Sequence, residues 1–322
     1  MSLREAIGSG RFVVTAEIGP PRGVDASAIE RAAHRLRGWV DAANVTDNQG
    51  AHVRLSSMAG SVLAARAGVP PVMQLTCRDR NRIALQSDLI SAATLGIPNV
   101  LLLTGDHPRY GDHPEAKPVF DLDGVALTWT ARTLRDDGEL LSGRELGERP
   151  GWLIGSVENP FAPPVAYRAR RLAKKVAAGA EFAQTQYVFD VGHFGRWMAD
   201  VRELDLPARC AVLAGVGPVR SLRVLEYLRT GVPGIHVPDH LERRLRGVPS
   251  DRVAAEGIRV CVETIQELRE IPGVAGVHVM AFGFERGVPD ILAAAGFSPD
   301  RGRPAVPDAP HPRALSAVPG EG

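Results

Sequence analysis

Cysteine, lysine and aromatic residues are scarce in this chain, and neither sign of charge is in excess. The three cysteines, Cys77, Cys210 and Cys261, are scattered and odd in number. They form neither a CxxC pair nor a disulfide framework, so a reduced, cytoplasmic setting is expected. The lysines are confined to Lys117, Lys174 and Lys175. None falls at a strand end in the pattern described below, which argues against the Schiff-base chemistry of a barrel lyase or aldolase. With 38 Lys and Arg against 37 Asp and Glu, the formal net charge is +1. That leaves no long-range electrostatic pull toward nucleic acid or an acidic membrane. The apolar runs fall far short of the ~20 residues needed to span a bilayer. The opening segment MSLREAIGSGRF has no signal-peptide core.

What is present suits a globular α/β protein. Hydrophobic residues make up 44% of the chain and charged residues 23%, enough to build a full core. Strand-like runs occur at 12–17, 42–46, 72–76, 99–103, 152–157, 182–186, 210–214 and 276–281. Between them, apolar residues recur at three- and four-residue spacing over 26–38, 53–67, 81–95, 125–134, 165–178 and 191–204. Strands alternating with helices predict βαβ units and a parallel sheet. Eight such units close a (β/α)8 barrel. An open doubly wound sheet is the rival. Against it, Gly215-Val216-Gly217 begins like a dinucleotide fingerprint but carries Arg220 at the position of the third glycine. The expected fold is therefore a TIM barrel over residues 1–298. A helical insertion over 222–268 follows strand 7, and residues 299–322 form a disordered Pro-rich tail.

The residues at or just past the strand ends are polar. Asn99–Leu103 is apolar on both faces, as a strand buried on both sides must be, and it stops at Thr104-Gly105-Asp106. Strand 1 ends at Glu17, strand 2 at Thr46-Asp47-Asn48, strand 3 carries Gln74, Thr76 and Cys77, and strand 6 carries Gln184, Thr185 and Gln186. In a parallel barrel these ends converge on one mouth, where ligands bind. Two carboxylates among amides and hydroxyls suit a site that holds a polar heterocycle and moves protons. Taken singly, Asp106 could equally cap the next helix, and Glu17 could serve a turn.

Five segments in this order resemble the methylenetetrahydrofolate reductase family, in its short bacterial form and as fused to homocysteine methyltransferases. They are Ala16–Pro21, Gln74–Asp79, Leu103–Asp106, Lys174–Ala180 and Thr185–Asp190. The resemblance implies an FAD-bearing barrel that reduces 5,10-methylenetetrahydrofolate to 5-methyltetrahydrofolate, in one-carbon metabolism and the supply of methionine. It implies Glu17 as the general acid, Asp106 beside flavin and folate, and Gln186 on the pterin. It places Thr46, Gln74, Thr104 and Gly105 on flavin-contacting positions, Asn159 near a polar contact, and Lys174 and Lys175 by the FAD phosphates. The family often has His at the position of Gln74 and Arg at that of Thr104. Where NADH-using members carry a glutamine and an aromatic ring, this chain has Val224 and Leu228. The electron donor is therefore NADH or a partner protein. In the partner-dependent alternative, the chain binds flavin or folate as one subunit of a larger assembly. The oligomeric state is left open, a homo-oligomer included. Asp106-His107-Pro108 and Asp112-His113-Pro114 repeat at a spacing that fits no familiar zinc pattern, so no metal is expected.

Overall fold

The structure, a computed structural model, describes residues 1–232, 234–281 and 283–299. Eight parallel strands close one barrel in chain order. They are β1 (Val13–Ile18), β2 (Ala42–Val45), β3 (Pro71–Thr76), β4 (Asn99–Leu103), β5 (Leu153–Glu158), β6 (Phe182–Tyr187), β7 (Ala211–Val216) and β8 (Val274–Val279). The ring is completed by β8 against β1, with Val13 opposite Gly276 and Ala16 opposite Val279.

The helices are α1 (Leu3–Gly8), α2 (Ala26–Leu36), α3 (Ser57–Arg66), α4 (Arg82–Thr94), α5 (Gly124–Arg132), α6 (Arg168–Ala177) and α7 (Val191–Glu203). After β7 come α8 (Leu222–Thr230), α9 (Asp239–Arg246) and α10 (Val253–Arg269), where the insertion was expected, and α11 (Val288–Ala294) follows β8. Local chemistry starts the crossover helices. Asp25, Ser56, Asn81, Asp123, Asp190 and Ser221 each accept a backbone N–H of the first turn through a side-chain oxygen. The cap of α5 is thus Asp123, not Asp106. The tail expected over residues 299–322 lies, beyond Pro299, outside the described residues.

Each strand divides its residues between two faces, as the two-residue period requires. On β1, Val14, Ala16 and Ile18 face outward into the apolar layer that includes Ile29, Ala33 and Leu36 of α2. Val13, Thr15 and Glu17 face inward and lie at three successive levels. The lowest level is apolar and joins Val13, Ala42, Val72, Leu101, Leu153 and Phe182 to Leu3 and Ala6 of α1, which closes the floor. Glycine at 155 makes room here, because a Cβ would stand 2.1 Å from Cζ of Phe182.

The middle level is polar. Gln184 Nε2 donates to Thr15 Oγ1 at 3.1 Å and to Asn44 Oδ1 at 3.0 Å, and Asn44 Nδ2 donates back to Gln184 Oε1 at 2.5 Å. His278 Nδ1 lies 2.9 Å from Thr15 Oγ1. All four side chains are buried, so their mutual hydrogen bonds offset the cost of removing them from water. Burial drives the His278 pKa down to about 3, and the ring is neutral at physiological pH. The uppermost level opens into a cavity.

Candidate active site

The carboxyl ends of the strands and the loops beyond them enclose a cavity of about 390 Å³, within the range typical of small-molecule sites. Glu17, Gln74, Thr104, Gly105, Asp106, Asn159, Lys175 and Gln186 line it, together with Gln184 and His278 from the polar level below. Residues nearly 170 positions apart in sequence meet here because the barrel gathers every strand end at one mouth.

Glu17 is 9% exposed. Its pKa is pushed up to about 7, first by burial and then by the neighbouring Glu285. A carboxyl group that keeps a substantial protonated fraction near neutrality can act as an acid. Gln49 Nε2 donates to its Oε1 at 3.1 Å. Tyr187, whose own pKa is raised by burial and then by the Glu17 charge, donates its hydroxyl to Met280 O at 2.6 Å.

Across the barrel, on β5, Glu158 is equally buried but is paired. Lys175 Nζ donates to Glu158 Oε2 at 2.9 Å and also to Val157 O, and Arg168 Nη1 lies 3.7 Å from Glu158 Oε1. Burial lowers the Lys175 pKa, and Glu158 works against that shift. Arg168, Arg171 and Lys175 fall at i, i+3 and i+7, on one face of α6, and all three line the cavity. Lys174 is one residue out of phase. It is exposed and stands over the Tyr167 ring, 5.5 Å from its centroid, away from the cavity. The helical period thus replaces the expected Lys174–Lys175 pair with Lys175 and two arginines.

The β4 end is shaped by its backbone. Gly105 has φ +90°, where a side chain would be strained, and a Cβ would also meet Thr76 at 3.0 Å. Thr104 Oγ1 accepts from Gly124 N at 3.0 Å, tying β4 to the start of α5. Asp106 is exposed at the rim. Asn159 holds two loops together, donating to Gly234 O at 2.9 Å and accepting from Phe161 N at 3.0 Å. Thr46 is buried with its hydroxyl unpartnered among the described residues, and it does not line the cavity. Asp47 beside it is gripped by Thr76 N and Oγ1, each at 2.9 Å, and by Arg80 at 2.7 and 3.1 Å. At the end of β6, the register against β7 shifts between Gln184 and Tyr187. Such an irregularity re-aims side chains, here Gln186, whose Oε1 accepts from Tyr187 N at 3.0 Å.

The repeated Asp-His-Pro serves as a loop fastener. Asp112 accepts from Val53 N at 3.2 Å. Among the described residues, no group of three or more His, Cys, Asp or Glu side chains is placed to hold a metal ion. Sequence reasoning passes over Gln49 and, in the polar layer, Thr15, Asn44 and His278, while Gln184 is among the polar residues read at the end of strand 6. For the layer there was a usable signal, because Thr15, Asn44 and Gln184 stand two residues before Glu17, Thr46 and Gln186 in otherwise apolar strands. For Gln49, in a loop, there was none.

The methylenetetrahydrofolate reductase family model matches residues 2–138 and 156–296. A probable methylenetetrahydrofolate reductase (NADPH) of Caenorhabditis elegans is 24% identical over 244 residues, which are 75% of this chain and 34% of that protein. A 5,10-methylenetetrahydrofolate reductase of Pectobacterium carotovorum is 25% identical over 251 residues, covering 75% of this chain and 76% of that one. The chain therefore spans about a third of the nematode relative's length and three quarters of the bacterial one's. In fold it is similar to an uncharacterised Clostridium thermocellum protein that binds two copies of 5-methyl-5,6,7,8-tetrahydrofolic acid. The TM-score is 0.62 at 14% identity, covering 91% of this chain and 97% of that one. No helix among the described residues is long and apolar enough to cross a membrane.

Proposed function

The chain belongs to the methylenetetrahydrofolate reductase family, and we propose that residues 1–298 form one flavin- and folate-binding unit that reduces 5,10-methylenetetrahydrofolate to 5-methyltetrahydrofolate. The observation that carries the reading is Glu17, a buried carboxyl at the cavity with a pKa near neutrality. In its protonated form it gives its proton to a nitrogen of the methylene bridge. The C–N bond to that nitrogen then opens, and the methylene carbon becomes an electrophilic iminium. The amide of Gln186 orients the pterin by hydrogen bonds, and Asp106 at the rim holds its polar edge.

FAD suits the residues present. Arg168 and Arg171, beside the Lys175–Glu158 pair, form a cationic side for a diphosphate. Gln74 and Thr104 offer polar contacts, and the bare backbone at Gly105 allows close approach. Bound FAD, once reduced by the electron donor, would supply the hydride that the iminium carbon accepts. Burial of Glu17, 9% exposed, strengthens its proton's interaction with the substrate nitrogen.

A second reading, that electrons come from a partner protein, is favoured by one observation. Leu228 is 2% exposed and packs among Tyr187, Phe189, Val219 and Leu225, with Val224 against the same cluster. Neither side chain lines the cavity, so the positions where NADH-using relatives hold the nicotinamide point into apolar packing here.

The test begins with reconstitution in excess FAD followed by desalting, then an anaerobic assay of methylenetetrahydrofolate reduction. An oxidised-flavin spectrum that survives desalting and substrate-dependent reoxidation of the reduced protein are expected. A colourless protein with no calorimetric heat of FAD binding overturns the cofactor. Stopped-flow mixing with micromolar NADH separates the donors, since rapid saturable bleaching removes the partner reading.

A further inference from the structure

The loop after β2 carries Gln49 to the cavity, where its Nε2 donates to Glu17 Oε1 at 3.1 Å. The backbone that presents it is held in a left-handed conformation, with φ of +45° at Asn48, +64° at Gly50 and +62° at Ala51. Alanine adopts that region only when its surroundings impose it, and they do so here. Arg54 N donates to Asn48 Oδ1 at 3.0 Å, and Arg78 Nη2 donates to Asn48 O at 3.2 Å. The β4 loop packs so closely that a Cβ on Gly111 would stand 1.9 Å from Ala51 O. A loop pinned this firmly fixes where the Gln49 carboxamide points.

We propose that Gln49 is a positioning residue for the acid. By donating to Oε1 it holds the Glu17 carboxyl in one orientation and leaves the proton on Oε2. The inference rests on the reading of Glu17 as the proton donor. In a protonated carboxyl the carbonyl oxygen is the better acceptor, so an amide N–H on Oε1 favours the proton on Oε2. The groups acting on Glu17 come from three sides: Gln49 from the β2 loop, Glu285 from the turn after β8, and Tyr187 from the end of β6. Gln49 is the hydrogen-bond donor of the three that fixes which oxygen is used. It is also neutral, so it orients the carboxyl without stripping its proton as a cation would.

The contact can be read directly by infrared titration of the full chain. The protonated carboxyl stretch is assigned to Glu17 by its loss in Glu17→Gln. Removing a donor to the carboxylate in Gln49→Met should move the Glu17 titration upward by about one pH unit, and a cation in Gln49→Lys should move it downward. Turnover by Gln49→Met should fall ~10-fold at neutral pH through kcat, with KM within about twofold, as misorientation of a catalytic proton requires. An unmoved titration in both variants overturns the contact. A moved titration with unchanged kcat overturns the positioning role. Failure of the underlying reading shows separately, as undiminished turnover by Glu17→Gln.

Discussion

β1 and β5 stand on opposite sides of the barrel, and each carries a buried glutamate at or next to its carboxyl end that reaches the same cavity. On β5, Glu158 meets the Lys175 ammonium at 2.9 Å. On β1, Glu17 meets a neutral amide and, nearby, a second carboxylate. Burial penalises both ions, but only the β5 side supplies a counter-charge to offset it. The β1 side offsets it by keeping the proton. One side of the mouth is thus a fixed ion pair that anchors α6 to the barrel, and the other is a proton store. The same residue type is ion-paired in one place and held without a counter-charge among the described residues in the other, because the helix behind β5 places a lysine within reach.

Replacing each glutamate's support in turn breaks that comparison. The largest effect is expected for Glu17→Gln, which keeps the shape and loses the proton. Reduction of methylenetetrahydrofolate by prereduced enzyme should fall ~10²–10⁴-fold, while FAD binding, followed by calorimetry, stays intact. On the β5 side the loss should be one of stability. Lys175→Met leaves Glu158 buried without its ammonium and should cost about 3–5 kcal/mol in chemical denaturation.

The pH dependence of folding sharpens the contrast. The Glu17 pKa rises from 4.5 to about 7 on folding, so between those values the folded state holds a proton that the unfolded state has lost. Its contribution therefore favours the folded state at low pH and fades as pH rises through that window. Relative to Glu17→Gln, the wild type should lose up to roughly 3 kcal/mol between pH 4.5 and 7. His278 acts in the opposite sense. Its pKa falls from 6.5 to about 3 on folding, so its contribution is lost as pH falls. That term is common to both proteins and cancels in the difference. The smallest effect is expected at Asp106, which is exposed. Asp106→Asn should weaken folate binding about tenfold, the low end of the value of one charged hydrogen bond, with the denaturation midpoint unmoved.

The barrel was legible because most strands are largely apolar runs bounded by turns, and because the helices between them carry a clean period. β1 through β8 coincide with the expected runs to within two residues at most ends. α1 and α11, six and seven residues long, are too short to show a period. At the site, strand-end position sufficed for Glu17, Gln74, Thr104 and Gln186, since the barrel itself aims them. It did not suffice on α6, where one residue of helical phase separates Lys175 in the cavity from Lys174 outside it. Nor did it reach Gln49, whose direction comes from left-handed backbone fixed by contacts with the β4 loop.

The most direct test of the account is the pH profile of a single turnover. FAD-reconstituted enzyme is reduced in advance and mixed anaerobically with methylenetetrahydrofolate across pH 5.5 to 9 (a range chosen to bracket the value of about 7 at Glu17). The rate should fall about tenfold per pH unit above that value, as the acid loses its proton, and Glu17→Gln should be slow with a flat profile. A wild-type rate that does not change across this range, or a Glu17→Gln profile that matches it, would contradict the assignment of the β1 carboxyl as the proton donor.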